Sequence, residues 1–183
     1  MDRLERSAIL LSLIENLRGK GSWCGETHVQ KSAYLLQELL QIPMGFEFIL
    51  YKHGPYSFDL SDELLAMRGS GILQIELRPP YGPSILPGPR SAQLKGLFPK
   101  TLERYLARVR FAAEELSPYG VAHLERVATA VYVTLNYHTN DDRALQAWRI
   151  HELKPHISVE AARDSLEHGF RLRDKAAQLV GRT

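Results

Sequence analysis

The chain has 183 residues, 44% of them hydrophobic and 24% charged, which are ordinary proportions for a soluble globular protein. A net charge of +2 is too small to indicate nucleic-acid binding by itself. The single cysteine, Cys24, excludes an intrachain disulfide and suits a reducing cytosol. The sequence has no signal-peptide pattern and no apolar run of the roughly 18–20 residues that span a membrane, so we expect a soluble, cytoplasmic protein.

Two amphipathic helices are predicted before residue 45. The first covers residues 2–18 and stops at a glycine-containing turn. The second covers about residues 28–40. Its buried side is marked by apolar residues at near-heptad spacing, namely Val29, Ala33, Leu36 and Leu40.

The most distinctive stretch reads Tyr-Lys-His-Gly-Pro-Tyr-Ser over residues 51–57. Gly54 can take a positive φ, and Pro55 disfavours the helical region for the residue before it. Ser57 is a good N-cap for a third helix, which is expected to end near Gly69. The stretch therefore predicts a fixed turn that leads into a helix.

A strand, a proline-rich loop and a return strand are predicted next. Leu73, Ile75 and Leu77 alternate with polar residues, and residues 84–86 can form the second strand. Helix, strand, loop and strand after two earlier helices is the order of a winged helix. The predicted fold class is therefore mainly α with a small β-hairpin, with a winged-helix-like part over residues 1–90.

Residues 91–183 are predicted to form a C-terminal helical bundle that packs on the first part, after a boundary or link at 78–91. Helices are expected over 99–117 and 119–137. A shorter helix should follow, ending near residue 153.

Four positions in the last two predicted helices carry structural expectations. Leu145 and Trp148 are expected to face inward from the shorter helix. Ser158 can cap the final helix, in which Gly169 is a candidate position for a break or kink.

The motifs that could carry chemistry do not add up to an active site. His151 and His156 bracket a glutamate, but a zinc-protease helix needs two histidines four residues apart, and Pro155 interrupts this one. Cys24 and His28 lack an evident third residue that would orient the imidazole. The sequence predicts no catalytic residue, no metal site and no cofactor; a hydrolase or nuclease built around His53 or Cys24 is the third hypothesis.

Two surfaces are candidates for binding. Tyr51, Tyr56 and Tyr81 would lie together if the strand and the wing pair, and aromatic surfaces suit protein contact. The alternative is a winged-helix DNA-binding transcriptional regulator. Its candidate cations are Arg78, Lys100, Arg104 and Arg108. The third helix is acidic, so DNA phosphates would repel it, and this disfavours the usual mode in which that helix binds DNA.

Residues 29–37, which read VQKSAYLLQ, and the stretch at 51–57 resemble the YwgA-like bacterial family of undefined function. Residues 124–132 and 153–158 also fit its pattern. Residues 5–90 are more distantly similar to the SocA-like (Panacea) antitoxin domain, in which a lysine–tyrosine helix precedes a Gly-Pro turn.

The resemblance implies a non-catalytic regulatory module, of the antitoxin or adaptor type, that binds a protein partner in a toxin–antitoxin or defence context. It transfers no catalytic residue. With the aromatic argument it gives one predicted protein-binding set, namely Lys31, Tyr34, Tyr51, His53, Tyr56 and Tyr81. Apolar residues in the wing would also be compatible with a homodimer.

Overall fold

A computed structural model describes residues 1–77, 79, 82–137 and 142–181. The helices are α1 (Arg3–Gly19), α2 (Glu26–Glu38), α3 (Phe58–Gly69), α4 (Ser91–Leu97), α5 (Pro99–Leu116), α6 (Val121–Asn136), α7 (Arg143–Leu153) and α8 (Val159–Val180). The strands are β1 (Ile49–Tyr51), β2 (Gly54–Tyr56), β3 (Leu73–Glu76) and β4 (Ser84–Pro87). The predicted fold class, mainly α with a small β-hairpin, is confirmed, and the structure adds a second hairpin.

Helix α1 lies in the centre of the protein. Its residues from Ser7 to Ile14 are all buried, so it is covered on every side and not only along one stripe. A capping box closes its start, because Asp2 accepts from the backbone N–H of Glu5 while the Glu5 carboxylate accepts from that of Asp2. Helix α5 packs along it.

The stretch at 51–57 forms a hairpin that the sequence did not predict. Strands β1 and β2 are antiparallel, with Ile49 opposite Tyr56 and Tyr51 opposite Gly54. Gly54 has a φ of 81°, as the sequence predicted. The Ser57 hydroxyl caps α3 by accepting from the N–H of Leu60 at 3.3 Å, which confirms the predicted helix start.

The predicted pair of strands after α3 is confirmed. Strands β3 and β4 are antiparallel, with Leu73 opposite Pro87 and Ile75 opposite Ile85. Two helices, a third helix and this hairpin are the elements on which the winged-helix prediction rests. Hairpin β1–β2 is not an element of a winged helix. The winged-helix assignment therefore stays a prediction.

One hydrophobic core crosses the predicted boundary at residue 90. It joins buried residues of α1, α2 and α3 to those of α5 and α6, including Ile14, Leu36, Val109 and Leu124. A smaller core lies between α6, α7 and α8. The two predicted regions therefore share a core.

The structure contradicts two expectations about the last helices, namely a break at Gly169 and the inward orientation of Leu145 and Trp148. Helix α8 runs without a break through Gly169, where a Cβ would lie 3.3 Å from Val131 Cγ2, so this glycine allows α6 and α8 to approach closely. Leu145 and Trp148 point outward and are 53% and 56% exposed. Helix α7 instead buries Ala147 and Ile150, because these face the smaller core.

None of the helices within the described residues is long and apolar enough to cross a membrane.

Gly54 is the position where we expect a small substitution to cost most. In Gly54→Ala the new Cβ would have the strained positive φ and would also lie 2.9 Å from Thr129 Oγ1 and 3.2 Å from the Glu125 carbonyl oxygen. We expect a loss of about 2–4 kcal/mol in the free energy of unfolding, measured with urea.

The matched control is Gly45→Ala. Gly45 also has a positive φ, of 72°, but a Cβ there would meet no heavy atom within 4 Å. It should cost only the backbone strain, about 1–2 kcal/mol. Equal losses at the two glycines would show that the contact beneath Gly54 does not constrain the hairpin.

Candidate functional site

A buried lysine lies beneath hairpin β1–β2. Lys31 of α2 is 1% exposed, and its Nζ donates to the Pro55 carbonyl oxygen at 2.8 Å. Burial lowers the pKa of Lys31 to about 8; the Glu125 carboxylate acts against this shift and the Lys154 ammonium adds to it. The structure removes Lys31 from the predicted contact surface, since its side chain lies under the hairpin.

Glu125 of α6 holds the turn of the hairpin from the other side. It is buried, and its two carboxylate oxygens lie 3.3 Å from Nδ1 of His53 and 3.0 Å from Nε2 of His156. Both imidazole rings are largely exposed on their outer sides. The carboxylate thus joins the hairpin turn to the segment that precedes α8.

Lys154 completes the support of the turn. Its Nζ donates to the carbonyl oxygens of Tyr51 and, at 2.7 Å, Lys52. Burial lowers the pKa of Lys154, while the Glu125 carboxylate opposes that change. Five side chains thus support the hairpin from beneath and at its turn: Lys31, His53, Glu125, Lys154 and His156.

Tyr34 is the second predicted contact residue that the structure buries. It is 1% exposed, its ring meets Phe48 edge-on at 5.1 Å between centroids, and Tyr132 lies 6.1 Å away. Burial raises the pKa of its phenol. The prediction that Tyr34 contacts a partner is wrong, because its side chain is part of the core.

Three aromatic rings lie in mutual contact on the outer side of the hairpin and at the adjoining start of α3. The centroid of Tyr51 lies 5.7 Å from that of Tyr56 and 5.7 Å from that of Phe58, and the last two are 5.1 Å apart. Phe58 is 55% exposed and Tyr51 45%. We call Tyr51, Tyr56 and Phe58 the aromatic cluster.

Phe58 is the member of this cluster that sequence reasoning missed. It is the first residue of α3 and lies off the buried stripe that contains Leu60 and Leu64. An apolar residue outside a helix's buried stripe is the signal that could have found it. Tyr51 and Tyr56 lie together, but through the pairing of β1 with β2 and not through the predicted pairing of the strand with the wing. The third predicted tyrosine, Tyr81, lies outside the described residues.

The cations of the nucleic-acid alternative do not share one environment. Lys100 and Arg104 are exposed on α5. Arg108 is half-buried, and its Nη1 donates to the Leu40 carbonyl oxygen at 3.1 Å, so it ties α5 to the end of α2. Arg78 lies outside the described residues.

Cys24 and His28 do not form an activated pair. Cys24 is fully buried with a φ of 55°, and burial raises the pKa of its thiol to about 12. Nδ1 of His28 lies 3.0 Å from Ser22 Oγ, and burial lowers the pKa of this imidazole to about 4. A nucleophilic cysteine needs a thiolate, which this environment disfavours.

Comparison with known proteins adds no assignment. No protein-family model matches the chain, and no curated protein matches it. The resemblance to the YwgA-like and SocA-like families therefore stays a prediction. Within the residues that the structure describes, no group of three or more His, Cys, Asp or Glu side chains could hold a metal ion.

The buried amine of Lys31 predicts a pH dependence of stability. Between about pH 8 and pH 10.5 the unfolded chain keeps a proton on Lys31 that the folded protein has lost. Stability that depends on this residue must therefore rise with pH across that window, by at most about 1.4 kcal/mol per pH unit. As pH rises from 7 to 9.5, we expect the unfolding free energy of the wild type to increase relative to that of Lys31→Met.

The difference between the two proteins isolates Lys31, because other buried groups titrate in both. Urea unfolding at several pH values measures it. Between pH 6 and pH 7 the difference should stay constant, since Lys31 is protonated in both states there. A difference that is flat up to pH 10 would mean that Lys31 is not held in a desolvated site.

Proposed function

We propose that the protein is a non-catalytic regulatory module of the antitoxin or adaptor type, and that it contacts a protein partner through the aromatic cluster. The observation that carries this proposal is a set of three contacting rings on one hairpin and the adjoining helix start, of which Tyr51 and Phe58 are exposed and Tyr56 is half-buried between them and the protein. Large aromatic side chains dominate the energy of protein interfaces, because they bury much apolar area with few rotatable bonds.

The support beneath the hairpin makes this surface suitable for binding. Lys31 and Lys154 hold three carbonyl oxygens of the hairpin segment, those of Tyr51, Lys52 and Pro55. A surface that is already ordered loses less conformational entropy when a partner binds. Ile49, 48% exposed on the same hairpin, enlarges the apolar area.

Charge near the aromatic cluster favours a protein partner over DNA. Glu26, Asp59 and Asp62 are exposed around it. DNA affinity comes largely from cations that neutralise phosphates, and these carboxylates would oppose it. The DNA-binding alternative rests on Lys100 and Arg104, which are exposed on α5.

The test is a tagged pull-down from the source cells after nuclease treatment, with Phe58→Ala compared with wild type. Phe58→Ala removes the most exposed ring of the aromatic cluster. We expect the wild type to recover a partner protein in near-equal amount. Phe58→Ala should recover at least about tenfold less of that partner, because truncating a central aromatic anchor commonly costs about 2 kcal/mol or more. Quantitative mass spectrometry measures the change.

Leu97→Ala is the matched control. Leu97 is 61% exposed on α4 and has no part in the aromatic cluster, so the variant should retain the partner. Recovery of the same proteins with Phe58→Ala as with wild type would refute the proposed surface. Nucleic acid that copurifies without nuclease and is lost in Arg104→Glu would favour the DNA-binding alternative.

A further inference from the structure

A groove lies next to the aromatic cluster and runs along α3. It has a volume of about 510 Å³ and lies between the start of α2, helix α3 and hairpin β3–β4. Its apolar lining includes Trp23, Leu64, Leu65, Ile75, Ile85 and Val121. Its charged lining is Glu26, which contacts Ser61 near the start of α3, and Arg68 in the last turn of α3, so the acidic end is the one beside the aromatic cluster. This volume is in the range of pockets that hold small ligands, so the groove suits a few side chains and not a domain.

The groove and the aromatic cluster are continuous through Glu26. The carboxylate of Glu26 accepts a hydrogen bond from Ser61 Oγ at 2.9 Å, and Ser61 lines the groove with it. The same carboxylate oxygen lies 3.4 Å from the hydroxyl of Tyr56, which belongs to the aromatic cluster. A partner seated on the rings therefore reaches the groove without crossing a gap.

The outward face of α3 is both apolar and acidic. Phe58, Asp62 and Leu65 follow one another at i, i+4 and i+7, so they form one exposed stripe. Leu65 is 61% exposed. Asp59 and Asp62 make no ion pair with any other residue that the structure describes.

We propose that the groove binds a segment of the partner in which apolar side chains are flanked by lysine or arginine. Apolar side chains of the segment would cover Leu65 and the aromatic cluster, and its cations would meet Glu26, Asp59 and Asp62. The inference rests on the proposed function, whose partner it describes. Local charge must carry this preference, because the whole chain has a net charge of +2 and does not attract cations in general.

A matched pair of synthetic peptides tests the occupant. One is about 14 residues of leucine and lysine at helical spacing with a single fluorescent label, a length that suits a helix lying in a groove. Its twin has glutamate in place of each lysine. Fluorescence anisotropy should show that the cationic peptide binds the full-length protein at least about tenfold more tightly than the acidic twin.

Two variants with matched controls locate the binding. Leu65→Ser should weaken the cationic peptide, and Leu97→Ser should not, although both leucines are 61% exposed. Asp62→Lys should reverse the preference between the twins. Asp164→Lys should not, although Asp164 is also exposed, on α8, and the substitution changes the net charge equally.

Several outcomes would overturn the inference. Equal effects of Asp62→Lys and Asp164→Lys would mean that only the net charge matters, and binding of neither peptide would exclude the occupant. A dimer in sedimentation experiments that Leu65→Ser disperses would make the groove an interface between two copies. Absence of peptide binding together with loss of the partner in Phe58→Ala would refute the inference alone and leave the proposed function in place.

Discussion

The buried ammonium group of Lys31 is the constraint on which the arrangement of the site depends. Removing a charge from water is costly, and the cost is tolerable only when hydrogen bonds and opposite charge replace the lost solvent. Here the Pro55 carbonyl oxygen accepts from Nζ, and the Glu125 carboxylate lies close enough to oppose the fall in pKa. Helix α2, hairpin β1–β2 and helix α6 must therefore meet at one place.

Hairpin β1–β2 has two unlike sides because of this constraint. On the inner side, Gly54 has no side chain, so Thr129 and Glu125 of α6 can approach the hairpin backbone. The outer side carries Tyr51 and Tyr56, which the register places diagonally, two positions apart on paired strands, a separation that aromatic side chains can bridge. Polar support on one side thus holds an exposed aromatic surface on the other, and this division supports the proposed binding role.

The acidic residues of α3 give that surface a preference for cationic partners. Recognition helices that bind DNA present cations, whereas α3 presents Asp59 and Asp62 beside Phe58 and Leu65 and has one cation, Arg68, in its last turn. Both halves of this pattern point to a partner with apolar and cationic side chains. The small net charge of the whole chain, +2, conceals the pattern, since the pattern becomes visible only where the carboxylates and the rings share a face.

The amino-acid sequence by itself determined the features that depend on neighbouring residues, namely most helix bounds, the Ser57 cap, the positive φ of Gly54 and the pairing of β3 with β4. These follow from periodicity and local backbone chemistry. The tertiary structure alone decided which face each residue shows: it buried Lys31 and Tyr34 and exposed Phe58 and Trp148. The contacts that decide burial join residues far apart in the chain, such as Lys154 and the Tyr51 carbonyl, 103 positions apart, and no local pattern encodes them.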